Sequence, residues 1–230
     1  MISERINAVR ERIALACQRA RRDVSEVTLV AVTKTFPAAM VREAVRAGVS
    51  DVGENYVQEL LGKRDDCGGD EIRWHFIGHL QTNKVRQIAG WIRMIHAVDS
   101  EPLVKEINRR AAEAKRTIDC LIEVNTTGET TKFGVRPDEA GALVRLLAPY
   151  EHVRIAGLMT IGPFLPDPEG SRPMFRRLRD LRDEITAAGQ TNVALRYLSM
   201  GMTGDFEVAI EEGATHIRIG TALFGKRTKA

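Results

Sequence analysis

The chain has 230 residues, of which 43% are hydrophobic and 28% charged, the composition of a folded globular protein rather than a disordered one. With 34 Lys+Arg against 31 Asp+Glu the formal charge is only +3, which excludes a dedicated nucleic-acid binder, since phosphate neutralisation needs a concentrated basic excess. Cys17, Cys67 and Cys120 are too few and too scattered for a disulfide framework or a metal set, and no window approaches the ~20 apolar residues of a membrane span, so a cytoplasmic protein without a targeting signal is expected.

Ile2, Ile6, Val9 and Ile13 recur at spacings of four and three, which predicts an amphipathic helix within residues 1–22. Its polar face mixes Glu4 and Glu11 with arginines, a pattern that favours packing on the body of the protein over lying on a membrane. Short β-branched runs then read as buried strands at 27–33, 49–52, 74–77, 94–98, 118–124, 153–159, 195–198 and 216–219. Charged segments of helical period lie between them at 38–47, 56–64, 82–89, 101–114, 137–147, 171–188 and 205–212. Gly48 and Gly213 follow two of these where a left-handed cap would sit, and Pro137 opens another where its missing N–H costs nothing.

Strands alternating with helices make parallel sheets with right-handed crossovers, and eight such units predict an α/β fold, a single (β/α)8 TIM-type barrel domain over residues 1–230 with an additional N-terminal helix. An open doubly wound sheet is the alternative. Its glycine fingerprint is missing after the first strand, which runs straight into VTKTFP (32–37).

Function in a barrel collects where the strands end. Lys34 closes an otherwise apolar first strand. Its amine either stands over the cavity, where desolvation favours the neutral, carbonyl-attacking form, or snorkels to solvent. The loops after strands seven and eight, LSMGMTGD (198–205) and RIGTALFG (218–225), are glycine-rich and carry the hydroxyls of Ser199 and Thr221. They cradle an anion or merely make tight strand–helix turns. A Schiff-base lysine facing a phosphate cradle implies a ligand with both an aldehyde and a phosphate, a description that pyridoxal 5′-phosphate (PLP) meets. Arg218 either faces the pyridine ring, where it would keep the ring nitrogen unprotonated and damp carbanion chemistry, or pairs with a carboxylate such as Glu123.

These residues belong to a wider set: VTKTFP (32–37), DVGENYVQE (51–59), WHFIGHLQTNK (74–84), TTKFG (130–134), GLMTIG (157–162), LSMGMTGDFEVAI (198–210) and HIRIGTALFG (216–225). Together, in this order and over nearly the whole chain, the sequence resembles the pyridoxal phosphate homeostasis proteins, the YggS/PROSC group, related to the barrel domain of alanine racemase. The resemblance implies a fold-type III PLP barrel with the cofactor held on Lys34 as an internal aldimine. It further implies phosphate binding by Ser199, Gly201, Gly220 and Thr221, Arg218 at the pyridine nitrogen, and Asn55, His79 and Met159 beside the cofactor. Members are regarded as carriers or buffers of PLP, which implies a role in vitamin B6 balance, exchange with PLP-dependent apo-enzymes, and no turnover. Some relatives carry a second lysine two positions after the first, where this chain has Phe36. Lys132 matches another family lysine and is either a transient acceptor or a solvated loop residue.

The competing function is an amino-acid racemase with Lys34 as base. Alanine racemases as a family use a tyrosine from a second domain as the opposing base, and this chain, with only Tyr56, Tyr150 and Tyr197, is expected to lack one. A ligand-free interaction barrel would leave Lys34 and both glycine loops to coincidence. A monomer is expected, because a complete barrel needs no partner to close its site. Three other motifs are set aside. The near P-loop at 220–227 has Arg227 where a magnesium-binding hydroxyl belongs, His75 and His79 diverge along a strand, and the basic run 172–182 is interrupted by Asp180 and reads as a solvated helix face.

Overall fold

The computed structural model describes residues 1–68, 71–129, 133–163, 165–189 and 193–226. Eight parallel strands close in sequence order into a barrel: β1 (Thr28–Val32), β2 (Asp51–Glu54), β3 (Arg73–Phe76), β4 (Met94–Val98), β5 (Ile118–Glu123), β6 (Val153–Met159), β7 (Tyr197–Ser199) and β8 (His216–Ile219). Closure is made by β1 against β8, with Thr28 opposite His216 and Ala31 opposite Ile219. The helices are α1 (Ile2–Ala20), α2 (Ala38–Arg46), α3 (Val57–Cys67), α4 (Glu101–Glu113), α5 (Pro137–Leu147), α6 (Arg172–Ala187), α7 (Phe206–Glu211) and the single turn α8 (Thr221–Phe224). Among the described residues no helix is long and apolar enough to cross a membrane.

The period-2 alternation of the strands sorts their side chains into two layers. Val52, Trp74, Phe76, Ile95, Ile122 and Ile217 point outward into the main core, where they meet the apolar stripes of the helices. The inward set is different. A small cluster of Met94, Leu121, Ala156 and Met159 shares the barrel interior with buried polar groups, among them Asp51, His75, His96, Ser199, His216 and Arg218. At one point the wall is too tight for any side chain: a Cβ on Gly157 would sit 2.0 Å from the Tyr197 carbonyl oxygen of the neighbouring strand.

The first helix buries Ile2, Ile6, Val9, Ile13, Ala16 and Cys17 along one face and packs on α2, α7 and α8. Arg21 in the left-handed region ends it. Arg12 and Arg19 then reach Glu207 and Glu211 of α7 at 2.6 and 2.7 Å. Two expectations change here. Residues 82–87 form a 3-10 helix (Thr82–Gln87) with i→i+3 bonds in place of an α-helix. The basic run of α6 is only partly a solvated face: Arg172, Arg176 and Arg179 converge on the buried carboxylate of Glu212 at 3.0, 3.1 and 2.7 Å, tying α6 to the end of α7.

Candidate functional site

The C-terminal ends of the strands surround a cleft of ≈ 320 Å³ lined by Lys34, Asn55, Ile77, Ile161, Met202–Asp205, Arg218, Gly220 and Thr221. Five of the residues singled out in the sequence therefore meet: Lys34, Asn55, Arg218, Gly220 and Thr221. A second lobe of ≈ 420 Å³ shares Asn55, Ile77 and Ile161 with the first and continues past Tyr56, His79, Lys84, Glu123 and Phe133.

Lys34 is half-buried, in the turn that follows β1. The backbone around it is pinned from both sides. Thr33 donates its hydroxyl to Glu54 Oε1 at 2.6 Å, and its carbonyl accepts from Lys63 Nζ at 2.7 Å. Lys63 Nζ also donates to Glu54 at 2.5 Å and to Glu59 at 2.8 Å, and the Thr35 N–H donates to Glu59 at 2.8 Å. Thr35 adopts φ 67°, a left-handed conformation costly for a β-branched residue, and this buried ion-pair network holds it. Burial raises the Glu54 carboxyl, and the hydrogen bonds from Lys63 and Thr33 oppose that rise. Sequence reasoning missed the clamp. Its signal was present as Glu59 and Lys63, four apart on one helix face. Phe36, in the place of a second lysine, is buried with its ring 5.1 Å from that of Phe224 in α8.

Arg218 is buried and held by two bonds, Nη1 donating to Ser199 Oγ at 2.6 Å and Nη2 to the Thr160 carbonyl at 2.8 Å. Neither bond goes to Glu123, which acts on the guanidinium through charge alone. Burial lowers Arg218 to about 10, against the pull of Glu123 and Asp205, so it remains a cation at neutral pH. Glu123 is pushed up to about 7 by burial and by Asp99, with Arg218 opposing.

The opposite wall comes from two short helix starts. Thr221 Oγ1 donates to Thr203 Oγ1 at 3.2 Å, joining the loop after β7 to the one after β8. Asp205, at the edge of the cleft, accepts from Met202 N at 2.7 Å and from the Ser171 hydroxyl at 3.1 Å. Three expected residues stand elsewhere. Ser199 is fully buried beneath the cleft because Arg218 and His96 engage its hydroxyl. Gly201 is a packing residue at φ 91°, where a Cβ would meet that of Ala209 at 2.5 Å. Met159 lies in the barrel interior. His79 lines the second lobe, stacked on Phe133 with ring centroids 4.3 Å apart. Lys132 lies outside the described residues.

Asn55 lines the cleft, and its Oδ1 is a buried acceptor without a hydrogen-bond partner among the described residues. Unsatisfied buried acceptors are rare and costly, which singles Asn55 out among the polar residues of the cleft. Gly78 sets its height: a Cβ there would lie 2.6 Å from the Asn55 carbonyl oxygen.

The family profile described as "Alanine racemase, N-terminal domain" matches residues 5–228. A pyridoxal phosphate homeostasis protein of Aquifex aeolicus (strain VF5) is 48% identical over 224 residues, covering 97% of this chain and 97% of its own length. A Homo sapiens protein of the same name is 40% identical, covering 96% of this chain and 85% of its own. The solved structure of PipY from Synechococcus elongatus PCC7942 with PLP bound superposes with a TM-score of 0.83 at 34% identity, covering 98% of this chain and 100% of that one.

Proposed function

The chain belongs to the alanine racemase N-terminal domain family and, within it, to the pyridoxal phosphate homeostasis proteins, and from that premise we propose that it holds PLP reversibly in the cleft between Lys34 and Arg218. The observation that carries this reading is the convergence of a clamped lysine, a buried guanidinium and two helix-start loops on one cleft. The orphaned Asn55 Oδ1 is a further polar feature that fits such a ligand. When bound, PLP supplies an aldehyde that condenses with an amine with loss of water and is released by the reverse hydrolysis.

In this reading Lys34 supplies the amine, and the clamp of Thr33, Glu54, Glu59 and Lys63 aims it across the cleft. Gly220, Thr221, Thr203 and Gly204 receive the phosphate, with N–H groups at the start of α8 and the Thr hydroxyls as donors. Ser199 and Gly201 support that wall from behind. Arg218 would donate to the ring nitrogen and, staying a cation at neutral pH, keep its own proton, so the ring would stay a weak electron sink. Asn55 would lie beside the ring's polar substituents, Met159 would support the site from the barrel interior, and His79 would border it from the second lobe.

We further propose that residues 1–230 act as one domain and that the protein works as a cytoplasmic monomer. It buffers PLP and passes it to apo-enzymes without turnover of its own. Borohydride reduction followed by peptide mass spectrometry tests the first part: the reduced adduct is expected on the peptide carrying Lys34 and lost in Lys34→Ala. An adduct elsewhere, or retained by that variant, overturns the assignment. Incubation with L- and D-amino acids tests the second, and steady racemisation or keto-acid release would make the protein an enzyme.

A further inference from the structure

Beneath the cleft a line of buried hydrogen bonds crosses the barrel from one mouth to the other. Arg218 Nη1 lies 2.6 Å from Ser199 Oγ, which lies 2.8 Å from His96 Nδ1. His96 Nε2 lies 2.9 Å from His75 Nδ1, and His75 Nε2 lies 3.0 Å from Asp51 Oδ1. Asp51 opens β2 at the mouth opposite the cleft, where Arg73 Nε and Nη2 grip it at 2.8 and 2.6 Å and Ser50 Oγ donates at 2.9 Å. None of the five residues in the line is more than 5% exposed.

With one proton on each imidazole, the two ends fix the direction of every bond between them. Asp51, ionised, only accepts, so the His75 proton sits on Nε2 and His75 Nδ1 accepts from His96 Nε2. His96 Nδ1 then accepts from the Ser199 hydroxyl, whose oxygen accepts in turn from Arg218, a group that only donates. Burial alone would raise the Asp51 carboxyl, but hydrogen bonds from His75 and Arg73 outweigh it and keep the group ionised, an acceptor only. Burial, with the Arg218 guanidinium adding in the same direction, holds His96 well below its ordinary value and so neutral. All donors therefore point from the cation at the cleft to the anion at the far mouth, an arrangement in which each bond polarises the next.

We propose that Asp51 is a positioning residue for the Arg218 guanidinium, acting through His75, His96 and Ser199, so that this relay sets the orientation and polarity that Arg218 presents to a ligand ring in the cleft. The last clause rests on the PLP reading above, and the relay itself does not. Nothing in the strand pattern announced it. His75, His96 and Ser199 occupy inward positions on three different strands, and only closure of the barrel brings them together.

The test has two arms and one control. In the ligand-free protein, 15N NMR of the side chains should show His75 and His96 as neutral Nε2–H tautomers. Ser199→Ala should shift the His96 Nδ1 signal, and Asp51→Asn should shift both His96 and the Arg218 guanidinium signals. With PLP bound, Asp51→Asn should move the visible absorption maximum and weaken retention by about tenfold, the scale that outer hydrogen-bond partners contribute at metal sites. Asp119→Asn is the control. Asp119 is equally buried and also at the far mouth, but it pairs with Arg154 and stands outside the line, so this variant should cost stability without moving the His96 or Arg218 signals. Two results overturn the proposal: His96 protonated on Nδ1, or Arg218 signals that respond to Asp119→Asn as much as to Asp51→Asn. Ser199→Ala, which only deletes an oxygen, keeps the tautomer arm decisive if Asp51→Asn does not fold. Failure of the wild type to bind PLP would refute the functional reading and leave the tautomer arm standing.

Discussion

Glu123 gives the sharpest quantitative expectation. It is 6% exposed at the end of β5, and burial with Asp99 nearby moves it from the ordinary 4.5 to about 7. The folded state thus binds a proton more tightly than the unfolded chain. The stability that Glu123 contributes is fully present below pH 4.5 and is lost as pH rises through about 7. That interval corresponds to about 3 kcal/mol, because each pH unit is worth about 1.4 kcal/mol per group. Glu123→Gln keeps the shape and removes the titration. Urea unfolding of both proteins from about pH 4.5 to about pH 8 should show wild type losing about 3 kcal/mol relative to the variant, most of it below pH 7. Taking the difference between the two proteins cancels the titrating groups that do not interact with Glu123. A difference that stays constant to within about 1 kcal/mol across that range would refute the burial argument.

Acid stability should bear the mark of the interior histidines. Burial lowers His216 to about 3, so it stays neutral in the fold while the unfolded chain protonates below 6.5. As pH falls from 6.5 the wild type should lose about 1.4 kcal/mol per pH unit relative to His216→Asn, measured by denaturant unfolding, and a flat difference would contradict it. Gly78→Ala should displace Asn55, since the new Cβ would lie 2.6 Å from its carbonyl oxygen, and weaken PLP retention in equilibrium dialysis. Ile6→Ala on the fully buried face of α1 should cost about 3 kcal/mol in urea midpoint analysis, with the PLP spectrum unchanged.

The outward layer of the barrel was legible because it repeats a simple rule. β4, β6 and β8 have the predicted limits, and α5 does too, since apolar runs and Pro137 mark them directly. The inward layer was not. A reading tuned to apolar strands treats His75, His96 and Arg218 as interruptions, whereas each simply occupies the alternate face of its strand. The single-turn α8 gives no periodicity to detect, and the 3-10 turn at Thr82–Gln87 has too few residues to separate from an α-helix by pattern. At the site, Lys34, Arg218 and the loop after β8 were recognisable because chemistry at strand ends is unusual. The depth of Ser199 was not, because a hydroxyl's partner on another strand cannot be read from its own neighbours.

The docking of α1 has a consequence for how the chain acquires this structure. The helix rests on α7 and α8, β1 completes its pairing only with β8, and Arg22 reaches the carbonyls of Ile210 and Ala214 at 2.8 Å each. A chain emerging N-terminus first therefore carries an apolar stripe covered only in part, by α2, and an open strand edge until α7, β8 and α8 have been made. Contacts of such long sequence separation are entropically slow to close, so folding should be late, cooperative and dependent on protection of that first helix during synthesis.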